Sequence, residues 1–178
     1  MAYVWHGKPG DPGSPATSTG GKQGFNHAEW RATMSDVTTF MSGEHRRCDD
    51  LFAALEAAAG EGNWDAAAAG LEAYLDGMTH HFEIEETQLF PEFERLTGMA
   101  MGPTRIMRME HEQMRGLFEE LRTAVAAHDE ETVLGVADTL NVLMQQHNLK
   151  EEEILYPMAD QALGDGADAF ARQLGAEA

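Results

Sequence analysis

The run of apolar and polar positions along the chain predicts four helices. The first begins near Ser35, and its stripe of Met41, His45, Cys48, Phe52 and Leu55 alternates steps of four and three, as one core-facing helix surface requires. Gly60-Glu61-Gly62 breaks it, and Asn63 is placed to cap a second helix whose stripe reads Leu71, Leu75, Met78, Phe82, Glu85 and Leu89. Pro91 is expected to kink or end that helix, with a loop from Gly98 to Pro103. A third stripe follows at Met107, His111, Met114, Phe118, Leu121 and Val125. Asp129 is placed to cap the fourth helix, which puts Val133, Val136, Leu140, Leu143, His147, Glu151 and Ile154 on one side. Each stripe needs cover and the connections are short, so the expectation is an all-α, up-down-up-down four-helix bundle.

The ends of the chain read differently. Residues 1–34 hold Gly7, Pro9, Gly10, Pro12, Gly13, Pro15, Gly20, Gly21 and Gly24, the composition of an arm without regular structure, which Trp5, Phe25 and Trp30 could pin to a folded body. The bundle is assigned to residues 35–163, and residues 164–178 form a tail with room for one short helix.

Within the bundle the chain repeats itself. A shift of 66 residues lays Glu44-His45 on Glu110-His111, Leu51-Phe52 on Leu117-Phe118, Asn63 on Asp129 and Met78 on Met144. The same shift lays His81 on His147, Glu85 on Glu151 and Pro91 on Pro157, with no gap. Two helical hairpins related by an approximate two-fold axis are the expected arrangement.

The repeat also carries the polar exceptions to the stripes. His81 with Glu85, and His147 with Glu151, are spaced i to i+4, which stacks an imidazole and a carboxylate on one helix face. With His45 and His111 they make six inward-facing groups on four helices. Burying them unpaired would cost several kcal/mol per group. A pair of metal ions compensates: neutral imidazole binds through one ring nitrogen, and a carboxylate can bridge two cations. This donor set suits iron, manganese or zinc and disfavours copper(I). A single histidine on an apolar stripe is more often a hydrogen-bonded core residue; six ligand-type residues obeying one translation favour metal.

The remaining candidates read as follows. His80 is taken as surface or supporting, because Gln146 is its counterpart. Asp49 lies four residues after His45 but corresponds to Arg115, so a surface ion pair is expected. His6, His27 and His128 lie off the stripes, and Met99, Met101, Met107, Met109 and Met114 read as adaptable core filler rather than a copper site. Glu83, Glu86, Glu152 and Glu153 read as solvated faces. Phe90 and Tyr156 are expected to wall the site, with Tyr156 able to offer a hydroxyl.

Charge narrows the partners. Lys and Arg number 12 against 31 Asp and Glu, for a formal net charge of −19 over 178 residues. That field repels nucleic acid and anionic membrane, and neither is expected as a partner. Cys48 is the only cysteine, so neither a disulfide framework nor a thiolate cluster is available. No signal peptide or membrane-spanning stretch is visible, which makes the cytoplasm the default location.

The pattern of His45, His81-x-x-x-Glu85, His111 and His147-x-x-x-Glu151, with Leu89-Phe90-Pro91 and Leu155-Tyr156-Pro157, resembles the hemerythrin family, in particular its bacterial HHE cation-binding members. The resemblance runs from about Ser35 to Ala159. It implies a non-haem di-iron centre with an oxo or hydroxo bridge: one iron on His45 and His81, the other on His111 and His147, with Glu85 and Glu151 bridging. It further implies an open position on each iron for oxygen, nitric oxide, peroxide or azide. Oxygen-carrying hemerythrins have a histidine where Arg115 stands, and an aspartate five residues past the last histidine where this chain has Glu151, four past. The four-histidine, two-glutamate set is more similar to that of the repair-of-iron-centres proteins of nitrosative and oxidative stress, which usually carry a cysteine-containing N-terminal domain instead of a Gly/Pro arm.

Three functions are thereby set in competition. The first is a redox-active di-iron protein meeting oxygen, nitric oxide or peroxide in stress defence or iron handling, with enzymatic activity an open matter. The second is a non-catalytic module that senses oxygen or nitric oxide, binds oxygen or stores iron. The third is a bundle holding zinc or another redox-inert cation. Iron leads as cofactor, with manganese and zinc behind it.

Overall fold

The structure, a computed structural model, describes residues 36–176; the arm assigned to 1–34, with His6, His27 and the aromatic residues Trp5, Phe25 and Trp30, lies outside the described residues. Helices α1 (Val37–Gly60), α2 (Trp64–Ile84), α4 (Pro103–Ala127) and α5 (Glu130–Lys150) form the bundle. Shorter helices α3 (Phe90–Thr97) and α6 (Tyr156–Leu163) extend α2 and α5, and α7 (Ala167–Ala176) follows a 3-10 turn in the tail. Helix α1 packs on α2 and α5, and α4 packs on α5 and α2, which closes a four-membered ring. This is the all-α four-helix bundle that the stripes predict.

The caps explain where the helices begin and end. Asn63 and Asp129 accept hydrogen bonds from the amides of Ala66 (3.3 Å) and Thr132 (3.1 Å), as their positions predict. Asp36 caps α1 through the Thr39 amide (2.7 Å). Asp160 on α6 adds a second clamp there: it accepts from the amides of Val37 (2.8 Å) and Thr38 (3.1 Å) and from the Thr38 hydroxyl (2.6 Å). One carboxylate thus ties the start of the chain's first bundle helix to its last segment, at the positive end of the helix dipole.

At the two prolines the helices neither end nor break. A wide π-helical turn, Glu85–Leu89, leads into α3, and a second, Glu151–Leu155, leads into α6. Proline lacks an amide hydrogen and its ring collides with the carbonyl four residues back; the wide turn absorbs that mismatch upstream of Pro91 and Pro157. The Phe90 amide donates to the Glu85 carbonyl and the Tyr156 amide to that of Glu151, five residues back in each case. The extra residue also shifts the register. Leu155 is 1% exposed and Ile154 54% exposed, so the expected core position of Ile154 is wrong by one residue.

The other stripe residues face inward, with Leu143 only partly buried. They make two apolar clusters rather than one. The larger holds Phe52, Leu71, Tyr74, Phe118, Leu121 and Leu140. The smaller holds Phe40, Met41, Leu89, Phe90, Met107, Leu155 and Tyr156 with Leu174 from α7. Between them lies a buried polar layer. On α1, for example, His45 falls between Met41 of one cluster and Cys48 of the other.

Candidate metal centre

The polar layer is built from six residues predicted from the sequence, and the structure brings all six together. His45, His81, His111 and His147 are 0–4% exposed, and Glu85 and Glu151 are fully buried. The two glutamates are also the first residues of the π-helical turns, so each wide turn starts at a carboxylate aimed at the layer. One ligand-type atom from each of His45, His81 and Glu151 falls within 4.8 Å of the others, and the same holds for Glu85, His111, His147 and Glu151. Two overlapping positions able to hold a cation result, and Glu151 belongs to both.

Contacts across the layer are close. Glu151 places Oε2 3.2 Å from His45 Nε2 and Oε1 3.2 Å from His147 Nε2. Glu85 Oε2 lies 3.2 Å from His111 Nε2 and 3.4 Å from His81 Nε2. The Tyr156 hydroxyl donates to Glu85 Oε1 (2.8 Å) and Glu151 Oε2 (3.0 Å) and is 3.2 Å from His45 Nε2. Phe90 faces His111 with ring centroids 5.9 Å apart. Tyr156 and Phe90 therefore wall the site as expected.

Behind the layer stand carboxylates whose role the sequence reading missed. His45 Nδ1 is 2.7 Å from Glu152 Oε1, His111 Nδ1 is 2.7 Å from Glu86 Oε1, and His147 Nδ1 is 2.9 Å from Glu110 Oε2. Glu86 and Glu152 are therefore not solvated faces, whereas Glu83 and Glu153 are exposed as expected. Arg115 holds Glu86 through contacts of 3.0 and 3.1 Å, and Lys150 holds Glu110. The sequence did carry a signal: Glu86 and Glu152 are 66 residues apart, as are Glu44 and Glu110.

These contacts fix the tautomers. A carboxylate only accepts, so the Nδ1 atoms of His45, His111 and His147 carry the hydrogens, and in the neutral rings the Nε2 lone pairs point into the layer. His111 Nε2 and His147 Nε2 then face each other at 3.2 Å. Lone pairs at that distance repel unless a proton or a cation sits between them. Both ring nitrogens of His81, Glu85 Oε2 and Glu151 Oε1 are buried without a hydrogen bond. Such orphaned atoms are costly, and here they converge. The donor set and its orphaned atoms fit a cation pair.

Without cations, protons must do the compensating. Burial opposes charge on His45, but hydrogen bonds to Glu151 and Glu152 overcome it and raise the imidazole to about 10. His147 is opposed by burial in the same way and is raised by the charge of Glu151. Burial, with His45 beside it, pushes His81 well below its ordinary value, so it is neutral. Burial and the Glu151 charge push Glu85 up. Burial works in the same direction on Glu151, yet His147 and His45 hold it well below the usual carboxylate range. The Tyr156 phenol, buried beside both carboxylates, is pushed far up and stays protonated.

The remaining candidates fall outside the layer. His80 is half-buried on the far side of His81 and belongs to neither cation position. Asp49 is exposed and, among the described residues, makes no ion pair within 4 Å, so the expected surface pair is absent. His128 ends α4 in a left-handed conformation (φ 55°) and stacks on Trp64 at 4.9 Å. Met107 and Met114 are core filler, but Met99, Met101 and Met109 are 44%, 75% and 57% exposed, contrary to expectation. The first two lie in and beside the loop before α4, and the third points away from the bundle.

Fold and site together define a four-helix-bundle protein with a buried histidine–glutamate centre of the cation-binding kind. The chain belongs to the hemerythrin family: the model of the hemerythrin HHE cation binding domain matches residues 36–159, which cover all six residues and both π-helical turns. No curated protein and no solved structure matches the chain. Among the described residues, no helix is long and apolar enough to cross a membrane.

Proposed function

We propose that this protein holds two iron ions in the polar layer and meets oxygen, nitric oxide or peroxide there, in the cytoplasm, as part of oxidative or nitrosative stress defence or iron handling. One ion is assigned to His45 and His81, the other to His111 and His147, with Glu85 and Glu151 shared between them. The observation that carries the reading is the inward aim of the Nε2 atoms, with three of the four imidazoles anchored from behind by Glu152, Glu86 and Glu110. Carboxylate-anchored imidazoles with their second nitrogens aimed at one point are how proteins orient metal ligands. An iron pair bound here would supply an affinity for diatomic ligands and peroxide, together with one-electron redox chemistry.

The chain's own residues define what such a ligand meets. The two apolar clusters exclude bulk water from both sides of the layer, which strengthens every electrostatic contact inside it. Tyr156, protonated and directed between Glu85 and Glu151, is the one neutral hydroxyl at the layer and can give a hydrogen bond to a bound anion. Its counterpart on the other side is Phe90, so hydrogen-bond donation is confined to the His45 side.

The test is metal content and the absorption spectrum of protein purified from its own host. Two irons per chain with near-ultraviolet bands, and a visible band on adding azide, support the proposal. A colourless protein holding zinc overturns it. With iron present, peroxide turnover or iron release under nitric oxide separates a reactive centre from a sensor or store.

A further inference from the structure

The two halves of the layer are not equally supported. Three imidazoles have a carboxylate behind them; His81 has none, and its Nδ1 makes no hydrogen bond. His147, which lies 66 residues after His81, has Glu110, and the residue 66 positions before Glu110 is Glu44. Glu44 is buried and within reach of the same helix, but it is turned the other way. Arg47 holds it with two contacts, Nε at 3.0 Å and Nη2 at 2.6 Å. In the second half the position of Arg47 is Gln113, which cannot make that pair, and Lys150 stands where the first half has Ile84. Lys150 holds Glu110 beside His147.

The room for Arg47 is built in. Gly77 lies one turn before His81 on α2, and a Cβ there would stand 3.2 Å from Arg47 Nη1 and from Leu51 Cδ1. A glycine inside a helix costs roughly 1 kcal/mol relative to alanine, so its place needs a reason. Leu143 is its counterpart in the second half. Glycine therefore opens the surface over which the Arg47 guanidinium lies.

From this we infer that the two cation positions differ in strength: His111 and His147 form the tight position, His45 and His81 the labile one, and Arg47 sets the difference by keeping Glu44 off His81. Arg47 is a positioning residue, acting on the imidazole through what it withholds. The inference rests on the two-cation reading above. An imidazole whose rear nitrogen has no acceptor is a weaker, less well oriented ligand, and removing such a support typically costs 10–100-fold in metal affinity.

The test is a titration of the metal-free protein with cobalt(II) against a competing chelator. Two steps separated by about 10–100-fold are expected. Arg47→Gln should bring the weaker step up toward the tighter one, because Glu44 is then free to reach His81. Adding Glu44→Gln to Arg47→Gln should cancel that gain, whereas Glu44→Gln alone should leave the wild-type titration unchanged. Glu110→Gln should weaken the tight step. Two ions bound with equal affinity by the wild type, or an Arg47→Gln titration that matches it, overturn the inference and leave the two-cation reading standing. Fewer than two cobalt ions per wild-type chain overturn both.

Discussion

Glu151→Ala is the perturbation that reaches furthest into the metal-free protein. The side chain is fully buried, 3.2 Å from both His45 Nε2 and His147 Nε2, and accepts from Tyr156. Breaking a buried charge pair by removing one partner costs about 3–5 kcal/mol. The His45 imidazole gives a second route to the size of the effect. It is raised to about 10, so it holds its proton at pH 7 by three units, or about 4 kcal/mol at 1.36 kcal/mol per unit. That figure is shared with Glu152, and removing Glu151 also relieves Glu85 of a neighbouring charge, so about 2–4 kcal/mol is expected near neutrality. The sign follows from linkage. A histidine raised from 6.5 contributes its full stability below pH 6.5 and loses it as pH rises through about 10. A glutamate depressed from 4.5, as Glu151 is, contributes above pH 4.5 and loses it as pH falls through its lowered value. The gap between wild type and variant should therefore be widest near pH 5–6.5 and close toward pH 10. Urea unfolding with chelator present, at pH 6, 8 and 10, reads it directly. A gap of the same size at pH 10 as at pH 6, or none at all, would refute the electrostatic account of the layer.

Three further outcomes are expected. His80→Ala should leave metal content unchanged while His81→Ala lowers it, measured by elemental analysis, because only His81 belongs to a cation position. Asp160→Ala removes three hydrogen bonds from the start of α1 and should cost about 1–3 kcal/mol in denaturant midpoint analysis without changing metal content. Glu86 is opposed by burial but lowered by Arg115 and His111, so its contribution is present above pH 4.5 and lost as pH falls through the lowered value. Arg115→Ala should accordingly narrow the difference in stability between pH 6 and pH 3 in acid titrations of the metal-free protein.

The bundle and the six-residue layer were legible because both are written in periodicity. A stripe such as Met107, His111, Met114, Phe118 fixes which face is buried, and the 66-residue repeat identifies the polar exceptions as a set. What periodicity does not carry is any departure from 3.6 residues per turn. The π-helical turns add a residue, which exposes Ile154 and buries Leu155 in its place. Glu86 and Glu152 were misread for a related reason. They lie on the flank of their helices, where spacing alone does not separate a solvated glutamate from one reaching a neighbouring helix, and that distinction waits on how the helices pack. The Arg47–Glu44 pair is local, i to i+3, but its consequence for His81 depends on α1 and α2 lying side by side.

The central claim is that paired cations occupy the space between the four inward-facing imidazoles. Anomalous diffraction at the iron edge, from crystals of iron-loaded protein, tests it most directly. Two peaks are predicted per chain, one between His45 and His81 and one between His111 and His147, with Glu151 reaching both. A map without peaks in the layer, with the imidazoles turned away from one another, would contradict the account.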